Sequence, residues 1–163
     1  MNDQYNSITW VENMLTGVAS IDEQHQILVN MLNMAAIQLT AGSSRLQIEE
    51  IIRDLMSYAL YHFDTEEELM VANAYPLEAQ NKHFEEHRNF SATVAQLQSD
   101  IKQGKLITRE ELLSFLKGWL ISHIFDTDKQ LGKFLLASEL RTTDSITDPP
   151  ETSGANPAAP SAG

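Results

Sequence analysis

The chain has 163 residues, of which 42% are hydrophobic and 7% aromatic, so its length and composition are those of one globular domain with a sizeable core. Its formal net charge of -12 repels phosphate backbones and anionic lipid surfaces, which argues against nucleic acid and membranes as partners. The absence of cysteine excludes disulfides, zinc–thiolate sites, iron–sulfur clusters and thiol nucleophiles, so any metal must be bound through nitrogen and oxygen.

Two segments with helical periodicity follow a short N-terminal arm. The first covers about residues 20–42, and its start is predicted to be a capping box in which Ser20 caps the helix and Glu23 reaches back. The second covers about residues 45–73 and ends before Pro76, because proline disfavours helix in the residue before it.

Two further helical segments complete the predicted core. The third covers about residues 78–103 and ends at Gly104. The fourth, about residues 108–125, begins with a second capping box formed by Thr108 and Glu111. Short connections favour antiparallel neighbours, so the predicted fold is all-α, an up-down-up-down four-helix bundle.

The C-terminal part of the chain differs in composition. Residues 142–163 are rich in Thr, Ser, Pro, Ala and Gly and have no apolar periodicity, which predicts a disordered tail after a folded domain of residues 1–141. A short C-terminal helix at 129–137 is expected before the tail.

Every histidine of the chain lies on an apolar seam of one of the four helices, where spacings of four and three repeat. One such histidine is more often a core residue bonded to a backbone carbonyl. A set of buried imidazoles together with a carboxylate exceeds what packing explains, because each group needs polar partners. The inward-facing polar residues are His25, His62, Glu66, His83, His87 and His123.

Helix polarity predicts that these residues meet. The histidines lie near the starts of the first and third segments and near the ends of the second and fourth, which share one end of an antiparallel bundle. The pairs His62–Glu66 and His83–His87 are four residues apart, so the side chains of each pair share a helix face and suit chelation.

Asp128 leaves two interpretations open. It follows His123 by five residues, which on a regular helix turns it about 140° from the seam. As a ligand it would need a local unwinding near 126–127. Otherwise it is a solvated acid or the N-cap of the short helix at 129–137.

The ligand types favour two iron ions. Five imidazoles and one or two carboxylates are too many for one tetrahedral zinc and lack the oxygen-only character of calcium or magnesium sites. Imidazole nitrogen with carboxylate oxygen suits iron, and the number of ligands suits two metals. We hypothesise that a site so rich in histidine favours reversible binding over oxidation chemistry.

These residues lie in motifs that resemble those of the bacterial hemerythrins, over about residues 8–136. The matching stretches are SIDEQHQ at 20–26, HFDTEE at 62–67 with Met70, YP at 75–76, HxxxHxxF at 83–90 and WLxxHIxxxD at 119–128. One departure is the spacing between Pro76 and His83. Six residues, 77–82, separate them in this chain, whereas such proteins usually have four. We expect the turn between the second and third helices to absorb the two extra residues.

The resemblance implies a role for each polar residue, including Asp128. The implied ligands of a coordinatively saturated iron are His83, His87 and His123. The implied ligands of a second iron, which keeps an open position for dioxygen, are His25 and His62. The implied bridges between the two irons, beside an oxo or hydroxo group, are Glu66 and Asp128.

The resemblance further implies reversible dioxygen binding by a carrier, storage or delivery protein rather than an enzyme. An apolar oxygen pocket is expected from Leu28, Phe63, Trp119 and Ile124, which could equally be ordinary core residues. Alternative functions are a sensor of oxygen, nitric oxide or redox state, a diiron peroxidase or nitric oxide reductase, and a bundle with structural zinc.

The expected partners follow from that function. They are dioxygen, nitric oxide as a second diatomic ligand, and an oxygen-consuming enzyme or a reductase. A monomer is expected because the four seams satisfy one another. Cytoplasmic residence is expected because the N-terminal residues do not resemble a secretion signal.

Overall fold

The structure is a computed structural model that describes residues 7–146, with side chains described up to residue 143. Four long helices form the predicted bundle, and a fifth helix packs across one end. The helices are α1 (Ala19–Gln38), α2 (Arg45–Ala72), α3 (Leu77–Lys102), α4 (Arg109–His123) and α5 (Lys129–Ile146). A 3₁₀ turn at Glu12–Met14 lies in the N-terminal arm, and a π-helical turn at Ile124–Asp128 joins α4 to α5. The predicted all-α class is confirmed.

The predicted capping box at the start of α1 is wrong. Neither Ser20 nor Glu23 caps this helix. Instead, the carboxylate of Asp22 accepts hydrogen bonds from the backbone N–H and hydroxyl of Thr16, at 2.7 and 2.8 Å, and from the N–H of Gly17 at 3.1 Å. The acid sits in the first helical turn and orders the loop before it, so a side chain inside the helix replaces the expected cap.

The capping box at the start of α4 is confirmed, and α2 has one as well. The Thr108 hydroxyl accepts from the Glu111 N–H, and the Glu111 carboxylate accepts from the Thr108 N–H at 2.8 Å. Ser44 and Gln47 make the equivalent reciprocal pair at the start of α2. Both boxes satisfy N–H groups that a helix start leaves without intrahelical partners.

The extra residues between Pro76 and His83 do not lengthen the turn between α2 and α3. Helix α3 begins directly after Pro76, whose carbonyl accepts the N–H of Gln80 at 2.9 Å. Residues 77–82 are therefore all helical. Pro76 is the N-cap residue, where a missing N–H breaks no intrahelical hydrogen bond, so the six residues form the first turns of α3 and not the turn that was expected to absorb two of them.

Helix α5 is longer than the short helix predicted at 129–137. It continues to Ile146, so residues 142–146, which the sequence placed in the tail, are helical. No proline lies between Asp128 and Pro149, and the hydroxyl of Thr142 bonds back to the carbonyl of Ser138 at 3.1 Å. The rest of the predicted tail, residues 147–163, lies outside the described residues.

The apolar core has two parts. The larger part fills the space between α1, α2, α3 and α4. The smaller part lies beneath α5 and consists of Ile21, Met70, Tyr75, Leu131 and Leu135. Within residues 7–146, no helix combines the length and apolarity that a bilayer crossing requires.

Candidate metal centre

The structure brings all seven predicted ligand residues together at one end of the bundle. They come from the four long helices and the π-helical turn, and each is at most 3% exposed. The residues are His25 on α1, His62 and Glu66 on α2, His83 and His87 on α3, His123 on α4, and Asp128. Helical periodicity and helix polarity thus place the five histidines and Glu66 as expected, whereas Asp128 lies on the π-helical turn.

Glu66 lies among the histidines of three helices. Its Oε2 atom lies 3.2 Å from Nε2 of His83, 3.3 Å from Nε2 of His87 and 3.5 Å from Nε2 of His62. Its Oε1 atom lies 4.0 Å from Nε2 of His25 on a third helix. All four imidazoles direct Nε2 toward this one carboxylate.

Asp128 has a comparable position. One of its oxygens, Oδ1, lies 3.0 Å from Nε2 of His123 and 3.2 Å from Nε2 of His83. The other oxygen, Oδ2, lies 2.9 Å from Nε2 of His25. The two carboxylate oxygens therefore reach histidines on different sides of the cluster.

The inner atoms form two overlapping sets, and in each set the ligand atoms lie within 4.8 Å of one another. The first set contains Glu66, His83, His87 and His123. The second set contains His25, His62, Glu66 and Asp128. Because Glu66 belongs to both, the cluster offers two adjacent positions for cations. We call these the three-histidine set and the two-histidine set.

The π-helical turn at Ile124–Asp128 explains how Asp128 reaches the cluster. On a regular α-helix the five-residue step from His123 would rotate it away. A π-helical turn has i→i+5 hydrogen bonds and so aligns residues five apart. The local departure from α-helix that the sequence required is present, but as a wider turn rather than an unwound segment.

Three histidines use their outer ring nitrogen to bind a side chain that the sequence analysis did not single out. The Nδ1 partners are Glu86 for His123 at 2.8 Å, Glu67 for His87 at 3.0 Å and Gln24 for His62 at 3.0 Å. A carboxylate only accepts hydrogen bonds, so the two rings that face Glu86 and Glu67 carry hydrogen on Nδ1, and Nε2 is the nitrogen left to bind a metal. The only sequence signal for these acids was their position next to Glu66 and His87.

The inner atoms are arranged to hold cations. Nε2 of His87 and Nε2 of His123 lie 3.1 Å apart, so a positive charge, either a proton or a metal ion, is needed between them. Both oxygens of Asp128 and Oε1 of Glu66 are buried and have no hydrogen bond of acceptable geometry within the described chain. Buried polar atoms are normally satisfied, and a metal ion satisfies several lone pairs at once. The donor set therefore fits metal binding.

Electrostatics within the cluster point the same way. Burial lowers the pKa of His83, but the adjacent carboxylates of Asp128 and Glu66 outweigh it and raise that pKa to about 9. Burial also lowers the pKa of His123, yet the charge of Asp128 and the hydrogen bonds raise it to about 10. At His62 burial dominates, and the pKa falls to about 4. The carboxylates thus favour a positive charge inside the cluster.

An apolar cavity of about 40 Å³ adjoins the cluster, which is more than the space one water molecule needs. Of the four predicted pocket residues, Leu28, Phe63 and Trp119 line it. Ile124 does not line it, although it is fully buried in the same core. Ile124 follows His123 directly, so its side chain points about 100° around the helix axis from that ligand.

Aromatic rings connect the cavity to the cluster. The ring of Phe63 stacks on the imidazole of His87, with centroids 3.9 Å apart and planes inclined by 12°. Trp119 stacks on His123 at 4.4 Å and 15°. The cavity wall and the three-histidine set therefore share a direct contact surface.

Comparisons with known proteins agree with this geometry. Residues 16–135 match the family described as "Hemerythrin HHE cation binding domain". The bacteriohemerythrin of Stenotrophomonas maltophilia is 32% identical over 122 residues, which are 75% of this chain and 77% of that protein. The bacteriohemerythrin of Methylococcus capsulatus is 30% identical over 122 residues, 75% of this chain and 91% of that protein. A crystal structure of wild-type hemerythrin superimposes with a TM-score of 0.72 and 28% identity, covering 78% of this chain and 97% of the other.

Proposed function

The chain belongs to the hemerythrin HHE cation-binding family, and on this premise we propose that it binds dioxygen reversibly at a non-haem diiron centre. The observation that carries the proposal is the pair of overlapping, buried ligand sets beside an apolar cavity. When bound, a diiron centre supplies the two electrons that dioxygen binding requires and recovers them on release. The protein would then act as an oxygen carrier, store or delivery protein.

The two ligand sets support unequal roles for the two irons. The proposed ligands of one iron are His83, His87 and His123. The proposed ligands of the other are His25 and His62, and the proposed bridges, beside an oxo or hydroxo group, are Glu66 and Asp128. Fewer nitrogen ligands in the two-histidine set leave room for a position that dioxygen can occupy.

The cavity residues have a separate task in this proposal. Leu28, Phe63 and Trp119 present no hydrogen-bonding side-chain group to the cavity except the indole N–H, so an apolar diatomic molecule is favoured there over water. Excluding water also protects a reactive state from side reactions. The stacked rings of Phe63 and Trp119 hold the imidazoles of His87 and His123 in place as well.

The same cavity favours binding over catalytic turnover of peroxide. Turnover requires a proton donor or acceptor within hydrogen-bond reach of the reacting atoms. The acids next to the cluster, Glu67 and Glu86, are already bonded to the outer nitrogens of His87 and His123. None of the residues that line the cavity is titratable.

Metal analysis and oxygen cycling test the proposal. Protein purified without added metal should contain about two irons per chain, as the two ligand sets require. The reduced protein should develop a visible absorption band on exposure to oxygen, and the band should disappear under argon and return with oxygen. One iron or none would contradict the diiron centre. Two irons with immediate, irreversible oxidation would contradict reversible binding alone.

A further inference from the structure

The two ligand sets differ in what binds the outer side of their imidazoles. In the three-histidine set, His87 and His123 each donate Nδ1–H to a carboxylate, Glu67 and Glu86 respectively. Glu86 is held further by the hydroxyl of Thr127, which donates to the same oxygen at 2.7 Å. Two rings of this set therefore have a charged partner behind them.

The outer nitrogens of the two-histidine set have weaker partners. His62 faces the side-chain amide of Gln24, which is neutral and in turn donates to the hydroxyl of Thr65 at 3.0 Å. Nδ1 of His25 is buried and has no hydrogen-bond partner within the described chain, as is also true of Nδ1 of His83 in the three-histidine set. Neither ring of this set has a carboxylate behind it.

The imidazoles also differ in how firmly they are packed. His87 and His123 are each stacked against an aromatic ring, Phe63 or Trp119, with planes inclined by 12° and 15°. His25 and His62 meet edge to face at 4.7 Å, with planes inclined by 66°, and have no stacked neighbour. In the three-histidine set, a hydrogen bond and a stacked ring together fix the orientation of two imidazoles. No imidazole of the two-histidine set is fixed by both.

A carboxylate behind a ligating imidazole has two effects on metal binding. It fixes the tautomer and the ring orientation, and it makes the inward nitrogen a better donor. Loss of such a partner typically weakens metal binding about 10–100-fold. A neutral amide provides the orientation but less of the donor strength.

We propose that Glu67 and Glu86 are positioning residues that make the three-histidine set bind the first metal ion, so that the centre fills in a fixed order. The two-histidine set then receives the second ion, next to Glu66, which is already oriented by the first. This loading order rests on the proposed diiron centre and adds to it an affinity difference that the ligand residues alone do not require.

Calorimetric titration of the metal-free full-length chain with Co²⁺, under anaerobic conditions, tests the order. Two binding steps are expected, the first at least about tenfold tighter than the second. Glu86→Gln and Glu67→Gln should each weaken the first step by about 10–100-fold and change the second much less. Glu85→Gln is the matched control, since Glu85 is exposed on the same turn of α3 and should leave both steps unchanged.

Gln24→Glu provides a test in the opposite direction. It places a carboxylate behind His62, so the second step should become about tenfold tighter and the two affinities should approach each other. This variant removes no interaction of the three-histidine set. It therefore decides the proposal even if a glutamine variant of Glu67 or Glu86 proves unfolded by circular dichroism.

The possible results separate the two proposals. Two equal Co²⁺ affinities, equal weakening of both steps by the Glu86 variant, or no response to Gln24→Glu would overturn the loading order and leave the diiron centre intact. Binding of fewer than two Co²⁺ ions would instead contradict the diiron centre itself. Two unequal steps that respond as described support both.

Discussion

Each imidazole of the cluster has two ring nitrogens, and their surroundings differ. The inner nitrogen, Nε2 in every case, faces the carboxylates of Glu66 and Asp128, while the outer nitrogens of three rings face side chains nearer the surface. The outer acids, Glu67 and Glu86, have side chains about one-third exposed. Part of the negative charge around the imidazoles therefore lies outside the core, on two acids that keep contact with water.

Glu66 is the residue on which both ligand sets depend. Glu66→Gln keeps the shape of the side chain but removes its negative charge, and an amide is a weaker metal ligand than a carboxylate. Metal content should fall from about two ions per chain to one or none, measured by elemental analysis. Glu68→Gln, an exposed glutamate on the same helix, should keep the full metal content. Full occupancy in both variants would contradict the shared position of Glu66.

The raised pKa values of His83 and His123 predict a pH dependence of metal loading. With pKa values of about 9 and about 10, both rings are protonated in the metal-free protein at pH 7, and a metal binds only a deprotonated nitrogen. Loading at pH 7 should therefore release protons, measurable with an indicator dye in weak buffer. Metal affinity should rise with pH up to about 10, and loading above that pH should release none from these rings.

The same pKa shifts predict how the stability of the metal-free protein changes with pH. Both rings have folded-state values above the ordinary 6.5, so their stabilising effect is complete below about pH 6.5 and is lost as pH rises through 9 and 10. The Tm of the metal-free protein should fall between pH 7 and pH 10. A Tm that is constant or rises over this interval would contradict the assigned charges.

The sequence was sufficient to predict that His25, His62, Glu66, His83, His87 and His123 gather, because their inward positions follow from helical periodicity and helix polarity. Asp128 lies off the seam by that periodicity, and only the family resemblance added it. The function of all these residues as iron ligands stays a prediction. The sequence was not sufficient to predict that Glu67, Glu86 and Gln24 contact the histidines. These three lie off the apolar seams, and their partners depend on how far a side chain reaches toward a neighbouring helix, which no periodicity records.

At the level of elements, two helix starts show that a capping pattern in the sequence forms a cap in one place and none in the other. Ser44 accepts the Gln47 N–H, so Ser44→Ala should lower the free energy of unfolding by about 1 kcal/mol. Ser20 makes no capping hydrogen bond despite a matching sequence pattern, so Ser20→Ala should change it by less than about 0.5 kcal/mol. Urea unfolding of the metal-free variants measures both. Equal losses would mean that α1 starts as its sequence pattern predicts.

The bounds of the central helices were predictable because proline, glycine and capping residues act locally. Two differences arise where contacts with another segment decide. Asp22 replaces the cap of α1 by holding Thr16, and the π-helical turn brings Asp128 to the histidines. Propensity and periodicity describe a segment by itself, and both of these features depend on a second segment. The extension of α5 is local, because residues 139–143 are exposed and no proline ends the helix before Pro149.

For the whole molecule, α5 closes the end of the bundle that contains the metal ligands. Its residues Leu131 and Leu135 are buried against Ile21 and Met70, at the start of α1 and the end of α2. Phe134 contacts Tyr75 edge to face at 5.0 Å. Because α5 follows Asp128 directly, its packing also determines the position of that carboxylate.

At Gly132, α5 packs closely against the backbone of Thr16. A Cβ atom at this position would lie 2.5 Å from the backbone oxygen of Thr16 and 2.8 Å from its Cβ, so Gly132→Ala forces α5 away. Overpacking of this kind should lower the free energy of unfolding by about 1–3 kcal/mol. It should also weaken metal retention, since Asp128 moves with α5.

Gly118 is the matched control, because it is also a helical glycine but has no atom within 4 Å of the added Cβ. Gly118→Ala should raise the free energy of unfolding by about 0.5–1 kcal/mol, since alanine is the better helix former. Urea unfolding and elemental analysis of both variants test the pair. If Gly132→Ala stabilised the protein as Gly118→Ala does and kept its metal, α5 would not be packed against Thr16, and another element would have to hold Asp128 in the cluster.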